Sequence, residues 1–210
     1  MKIFKRYLLL AAGLFIMAFG VATSIKAGLG TSPISSVPYT LNLITGLSVG
    51  KTTICLHVTL IILQILLLRK RYEIVQLMQL PVAIVFGYLT DFAIWALSGI
   101  TVTAYPVRWL ACIIGILLVG IGVSCEVTAN VVVLAGEGLS LAICKVTGLP
   151  FPKVKISFDV SLVVIAILLG LIFLGSIQGV REGTVAAALT VGLVSKQVSK
   201  PLSKLAEKFF

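Results

Sequence analysis

The chain has 210 residues, of which 59% are hydrophobic and 11% charged, with a formal net charge of +10, and its mean hydropathy is +1.16. A soluble domain of that length does not carry so much apolar surface, so a soluble enzyme or carrier is excluded and an integral membrane protein is expected. The positive charge is not a nucleic-acid signal, because the basic residues sit at the ends of apolar runs, where they orient spans and meet anionic lipid headgroups.

In chain order, six runs are long enough to cross the hydrocarbon core as helices: residues 7–25, 52–68, 80–97, 106–125, 154–174 and 183–199. The basic start, Lys2, Lys5 and Arg6, imitates a signal peptide, but is read as the head of an uncleaved first span that later spans need for packing. Residues 200–210 read as a basic cytoplasmic tail that extends the series Lys196, Lys200, Lys204 and Lys208, suited to anionic lipid. The four cysteines, Cys55, Cys112, Cys125 and Cys144, lie in or beside apolar segments without CxxC spacing, so they are read as small core residues with no disulfide.

Residues 20–68 align without a gap on 122–170 at an offset of 102, with 13 of 49 positions identical. The informative part is Thr45-Gly46-Leu47 with Lys51, which returns as Thr147-Gly148-Leu149 with Lys153. Matches among Leu, Ile and Val carry less weight in so apolar a chain. The expected organisation is a first membrane repeat over 1–101 and a second over 102–199.

Between the first and second spans of each repeat lies a shorter, moderately apolar stretch, 33–45 and 135–147. Such a stretch makes a helix of only ~20 Å, too short to cross. The expectation is therefore an all-α polytopic membrane protein of about six transmembrane helices in two three-span repeats, each with a short re-entrant or interfacial half-helix. Three is an odd number, so the repeats would be inverted. With the N- and C-termini cytoplasmic, this arrangement puts 13 basic residues inside and four outside. The alternative is eight spans with parallel repeats, which gives 12 inside and five outside and moves Arg69, Lys70 and Arg71 outside.

Candidate binding groups cluster where the short stretches begin. Gly28 and Gly30 permit a tight turn, Thr31 adds a hydroxyl, Ser32 is a good N-cap and Pro33 a preferred first helical residue. Ser35 and Ser36 follow in the first turn, whose free N–H groups form an anion or dipole site. In the second repeat Glu137 stands where the first has Ser35, so the two halves present unlike groups. Asp91 lies near the middle of the third span, where a carboxylate faces the bundle interior or water. His57 and Asp159 occupy equivalent positions in the two repeats, and Lys155, four residues before Asp159, shares its helix face. These last three are polar groups inside spans, with coupling and structural roles both open. Glu126, at the end of the fourth span, is expected in the headgroup region. No enzyme, cofactor or metal is expected, since the chain has one histidine, no nucleophile elbow, no phosphate loop and no His/Cys ligand spacing.

Around these residues the chain resembles the YczE/YyaS/YitT family of bacterial integral membrane proteins, its YczE-like branch most closely. The resemblance covers nearly the whole chain. It is carried by Gly28-Leu29-Gly30-Thr31-Ser32-Pro33, Thr45-Gly46-Leu47-Ser48, and the Gly87…Asp91 element. In the second half it is carried by Gly136-Glu137-Gly138-Leu139, Lys155-Ile156-Ser157-Phe158-Asp159 and Gly179-Val180-Arg181-Glu182-Gly183-Thr184. Other members carry a Gly-Pro-Arg-Asp-Gly element near Ala135–Gly138 that this chain lacks, so a solute inferred for them does not transfer. The resemblance implies an all-helical fold in the bacterial cytoplasmic membrane, and brings no activity with it.

The expected function is a small secondary transporter or exporter of a polar solute, anionic solutes included, through a site at the interface of the inverted repeats between Ser32, Glu137 and Asp91. Alternatives are a substrate-binding membrane module of a larger importer complex and a non-transporting membrane scaffold or regulator. Expected partners are membrane lipids and an unidentified small-molecule solute. A homo-oligomer is compatible with the sequence.

Overall fold

The computed structural model describes the backbone of residues 2–209 and the side chains of residues 3–204, so Lys208 and part of the expected tail lie outside the described side chains. Regular structure among the described residues is helical: α1 (Lys2–Ala27), α2 (Pro33–Thr45), α3 (Val49–Leu68), α4 (Gln79–Ala96), α5 (Tyr105–Ala129), α6 (Ala135–Thr147), α7 (Phe151–Leu174) and α8 (Glu182–Phe209), with short 3₁₀ turns between α3 and α4. The protein is thus an all-helical membrane protein. Five segments are long and apolar enough to cross a bilayer: Ile3–Ala27, Val49–Arg71, Ile74–Ala96, Tyr105–Ala129 and Phe151–Leu174. Their outward side chains, such as Tyr88, Trp95, Leu168, Ile172 and Phe173, are large, apolar and exposed, as lipid-facing surfaces are. The sixth expected span, 183–199, falls in α8, which is long enough but diluted by Thr184, Thr190, Ser195, Lys196 and Gln197 and does not join the five.

The bounds of α2 and α6 coincide with the two short apolar stretches, and the ends of both helices explain the Thr-Gly-Leu tripeptide. Gly46 and Gly148 adopt φ +72° and +73°, and their N–H groups each donate to a carbonyl one turn back, Asn42 and Cys144, at 2.9 Å. Only glycine enters that left-handed region without penalty. The Thr45 hydroxyl donates to the Leu41 carbonyl at 2.7 Å and accepts from the Leu47 N–H at 3.3 Å. Thr147 repeats the pattern with Ile143 at 2.8 Å and Leu149 at 3.3 Å. The tripeptide is a helix stop. Ser48 then caps α3, its hydroxyl accepting from the Lys51 N–H at 3.3 Å.

The chain divides into two compact units, each drawing helices from both 1–101 and 102–199. The first comprises residues 1–32, 89–131 and 180–210, which contain α1, the end of α4, α5 and α8. Here α1 and α5 cross antiparallel at glycines. A Cβ on Gly20 would lie 2.9 Å from the Gly115 carbonyl oxygen, and one on Gly122 2.7 Å from that of Gly13. The two contacts exchange under the offset of 102, since 13 + 102 = 115 and 20 + 102 = 122. Small residues here let the backbones approach closely, the usual basis of helix association in lipid. Helix α8 runs parallel to α5, with Gly183 against Cys112 at one end and the Ser124 hydroxyl donating to the Ser195 carbonyl at 3.0 Å at the other.

The second unit comprises residues 33–88 and 132–179, containing α2, α3, the start of α4, α6 and α7. Its packing is crosswise, with α2 lying on α7 and α3 on α6, in addition to the neighbours α2–α3 and α6–α7. Helix α4 starts beside the end of α3 and continues antiparallel to it, because Gln79 pairs with Gln64 whereas Gly87 meets Gly50 and Ile54.

Candidate functional site

In the second unit the first turns of α2 and α6 meet. A Cβ added to Gly136 would collide with the Ile34 side chain, and these positions are equivalent at the offset, since 34 + 102 = 136. Both helices are preceded by non-helical backbone, at 30–32 and 130–134. Their N-terminal turns, with free N–H groups and positive dipole ends, thus touch through Ile34 and Gly136. The first turns carry Pro33, Ser35 and Ser36 in α2 and Glu137 in α6. Ser36 is fully buried, its hydroxyl donating to the Pro33 carbonyl at 2.6 Å.

Glu137 is not an isolated surface group. The Lys155 Nζ lies 3.4 Å from Glu137 Oε1 and 2.9 Å from Asp159 Oδ1, and 5.6 Å from the centre of the Phe158 ring. The i, i+4 pairing expected within α7 is formed, but the second carboxylate, from α6, was not legible as its partner. His57 of α3 is 2% exposed, stacks edge-on against Phe86 with ring centres 6.2 Å apart, and leaves Nδ1 without a hydrogen-bond partner.

Next to this cluster, the Gln64 amide donates to the Gln79 amide oxygen at 3.0 Å and to the Ala135 carbonyl at 3.2 Å, while Gln79 donates back to Gln64 at 3.3 Å. Neither glutamine is among the candidates above, although an amide in an apolar run is itself a signal of a polar contact inside the bundle. A Cβ on Gly138 would lie 2.7 Å from Gln79 Nε2 and 2.8 Å from Gln64 Oε1, so a larger residue there would have to push the paired amides aside.

The remaining expected site residues fall in the first unit. Gly28, at φ +62°, ends α1, and Gly30, at φ +92°, packs against Arg181 and Thr184. Arg108 donates to the Ala27 and Gly28 carbonyls, both at 2.8 Å, and Arg181 to the Gly28 carbonyl at 3.2 Å. Two cations on the last carbonyls of α1 oppose the negative end of its dipole. Thr31 is 1% exposed with its hydroxyl unpartnered, and Ser32 is buried. Asp91 is half-buried in α4. Ser32 and Asp91 belong to the first unit and Glu137 to the second. Glu126, expected among headgroups, is instead 1% exposed within α5, where α1 packs over it through Gly13.

Long apolar helices, broken stretches with converging N-termini and charges enclosed between spans define a multi-pass membrane protein with a polar interior. The chain belongs to DUF6198, a family of unknown function, whose model matches residues 4–200. It is 29% identical over 118 residues to the uncharacterized protein YyaS of Bacillus subtilis, a match covering 56% of this chain and 57% of that protein. The matched region thus spans little more than half the length of this curated relative. No solved structure matches.

Proposed function

We propose that the protein is a small secondary transporter of a polar solute in the bacterial cytoplasmic membrane, with its site in the second unit, where α2 and α6 meet. The observation that carries this reading is the convergence of two half-helix N-termini from the two halves of the chain beside the Glu137–Lys155–Asp159 cluster. Half-helices that stop at mid-membrane, in halves of opposite orientation, are how secondary transporters present backbone groups to solute and ion. The antiparallel crossing of α1 and α5 supports opposite orientation, since parallel repeats would align these two helices. Ser35, Ser36 and the α2 N–H groups would face the solute on one side and Glu137 on the other.

In this topology the N-terminus is cytoplasmic and Arg69, Lys70 and Arg71 are cytoplasmic with it. A cysteine at Lys70, in a variant lacking the four native cysteines, should resist an impermeant thiol reagent on intact cells and react in inside-out vesicles. The transport reading itself is tested by Ser35→Cys in the same background. An alternating-access protein should expose this position to impermeant reagent from either face in turn, and both preparations should label. Labelling from one face alone would return the protein to the importer-module or scaffold reading.

A further inference from the structure

The turn that joins α3 to α4 carries a charge that the rest of the second unit does not answer. Arg69, Lys70 and Arg71 follow one another there, and all three are exposed. The carboxylates of that unit are Glu73, Glu137 and Asp159, and each already faces a lysine. Glu73 lies 3.7 Å from Lys145, and Lys155 holds the other two. Among the described residues, no carboxylate pairs with the three cations. Arg69 also stands at φ +48°, a left-handed backbone that Gly46 and Gly148 provide at the ends of α2 and α6. Glycine would make this turn without strain, so an arginine there points to a side chain that is used.

The place of the turn supplies the missing anion. The spans on either side run to Arg71 and restart at Ile74, so only Tyr72 and Glu73 separate them. A link that short keeps the turn at the membrane surface. The residues that follow are apolar and uncovered. Ile74 is 82% and Val75 66% exposed, with Leu77 and Met78 exposed beside them. Water covers such a patch poorly, and acyl chains cover it well. Basic groups next to apolar ones, at headgroup level, match the two parts of a phospholipid. A free phosphate ion would engage the first and leave the second bare.

We propose that Arg69, Lys70 and Arg71, with Ile74 and Val75, form a binding site for an anionic phospholipid. Its phosphate lies against the basic triplet and its acyl chains cover the apolar residues. Guanidinium forks take phosphate oxygens in pairs, which favours the two arginines as the phosphate ligands. A zwitterionic lipid fits less well, because its own cation meets the triplet. The site does not rest on the transporter reading.

The test is quenching of a single tryptophan by brominated phospholipids. Ile74→Trp, which keeps the site apolar, is made in the full-length chain with the two native tryptophans changed, Trp95→Phe and Trp109→Phe. The protein is reconstituted in phosphatidylcholine, into which brominated phosphatidylcholine or brominated phosphatidylglycerol is titrated. With the triplet intact, phosphatidylglycerol should bind beside position 74 at least about fivefold more strongly than phosphatidylcholine, the factor that one basic residue contributes at an anionic surface. Lys70→Gln, which leaves two cations to hold the orientation, should lower that ratio severalfold. Changing Arg69→Gln, Lys70→Gln and Arg71→Gln together should bring it close to one. Millimolar inorganic phosphate should not compete. Equal binding of the two lipids with the triplet intact, a preference unmoved by Lys70→Gln and by the triple change, or displacement by free phosphate would each overturn the proposal. The two-faced labelling of Ser35→Cys does not depend on these ratios, so either idea can fail while the other stands.

Discussion

Gly122→Leu should loosen the packing of α1 on α5 and lower the stability of the protein. A Cβ there already lies 2.7 Å from both the Gly13 carbonyl oxygen and the Met17 Cβ, and neither can give way without separating α1 from α5. Overpacking a close contact costs up to about 3 kcal/mol. For a chain of this length that corresponds to a fall of roughly 10 °C in melting temperature. Thermal melting followed by size-exclusion fluorescence would read it directly. Gly192→Leu is the matched control, because a Cβ at Gly192 meets nothing within 4 Å, and it should melt like wild type. If Gly122→Leu also melted like wild type, the glycine crossing would not hold α1 to α5.

Lys155→Met is the second large effect. It removes the ammonium that Glu137 and Asp159 share and leaves two carboxylates facing one another. Breaking a buried pair by removing one partner costs about 3–5 kcal/mol, because the stranded charge costs more than the pair contributes. The side chains here are 26%, 19% and 20% exposed, so the lower end of that range applies. Adding Glu137→Gln and Asp159→Asn to Lys155→Met should restore most of the stability, since no unpaired charge remains. With the Glu137→Gln/Asp159→Asn variant that keeps Lys155, the melting temperatures of wild type and the three variants form a cycle whose coupling term should be large and favourable to the intact set. A triple variant no more stable than Lys155→Met would mean that Lys155 acts through packing on Phe158 rather than through charge.

The sequence declared its local features and hid its distant ones. The bounds of α2 and α6 could be read because Pro33, Gly46 and Gly148 punctuate the chain through φ and hydrogen-bond constraints that act within one turn. The Lys155–Asp159 pair could be read for the same reason, as a spacing of four places both on one helix face. Partners of Lys155 beyond α7 could not be read, because Glu137 lies eighteen residues upstream on another helix. Nor does any periodicity announce that α2 lies on α7 and α3 on α6. Most helices here present apolar residues on every side, so hydrophobic pattern alone cannot say which face meets protein and which meets lipid. The position of Glu126 near the end of an apolar run points to the headgroups, but α5 continues to Ala129 and Gly13 packs over it. Segment 183–199 matches the other spans in length, whereas its polar residues set α8 apart.

The crosswise packing also sets an order of events during synthesis. Helix α2 is too short to be held by the bilayer alone, and its packing partner α7 begins at Phe151, 106 residues after α2 ends at Thr45. At about 5–20 residues per second the ribosome needs roughly 5–20 s to deliver that partner. Throughout that interval the half-helix has α3 but not α7 to pack on, and the side that α7 covers must be sheltered by water or the insertion machinery. Membrane integration of the first three long helices therefore precedes, and cannot by itself complete, assembly of the polar interior, so truncated chains ending before α7 should be the preferred prey of membrane proteases.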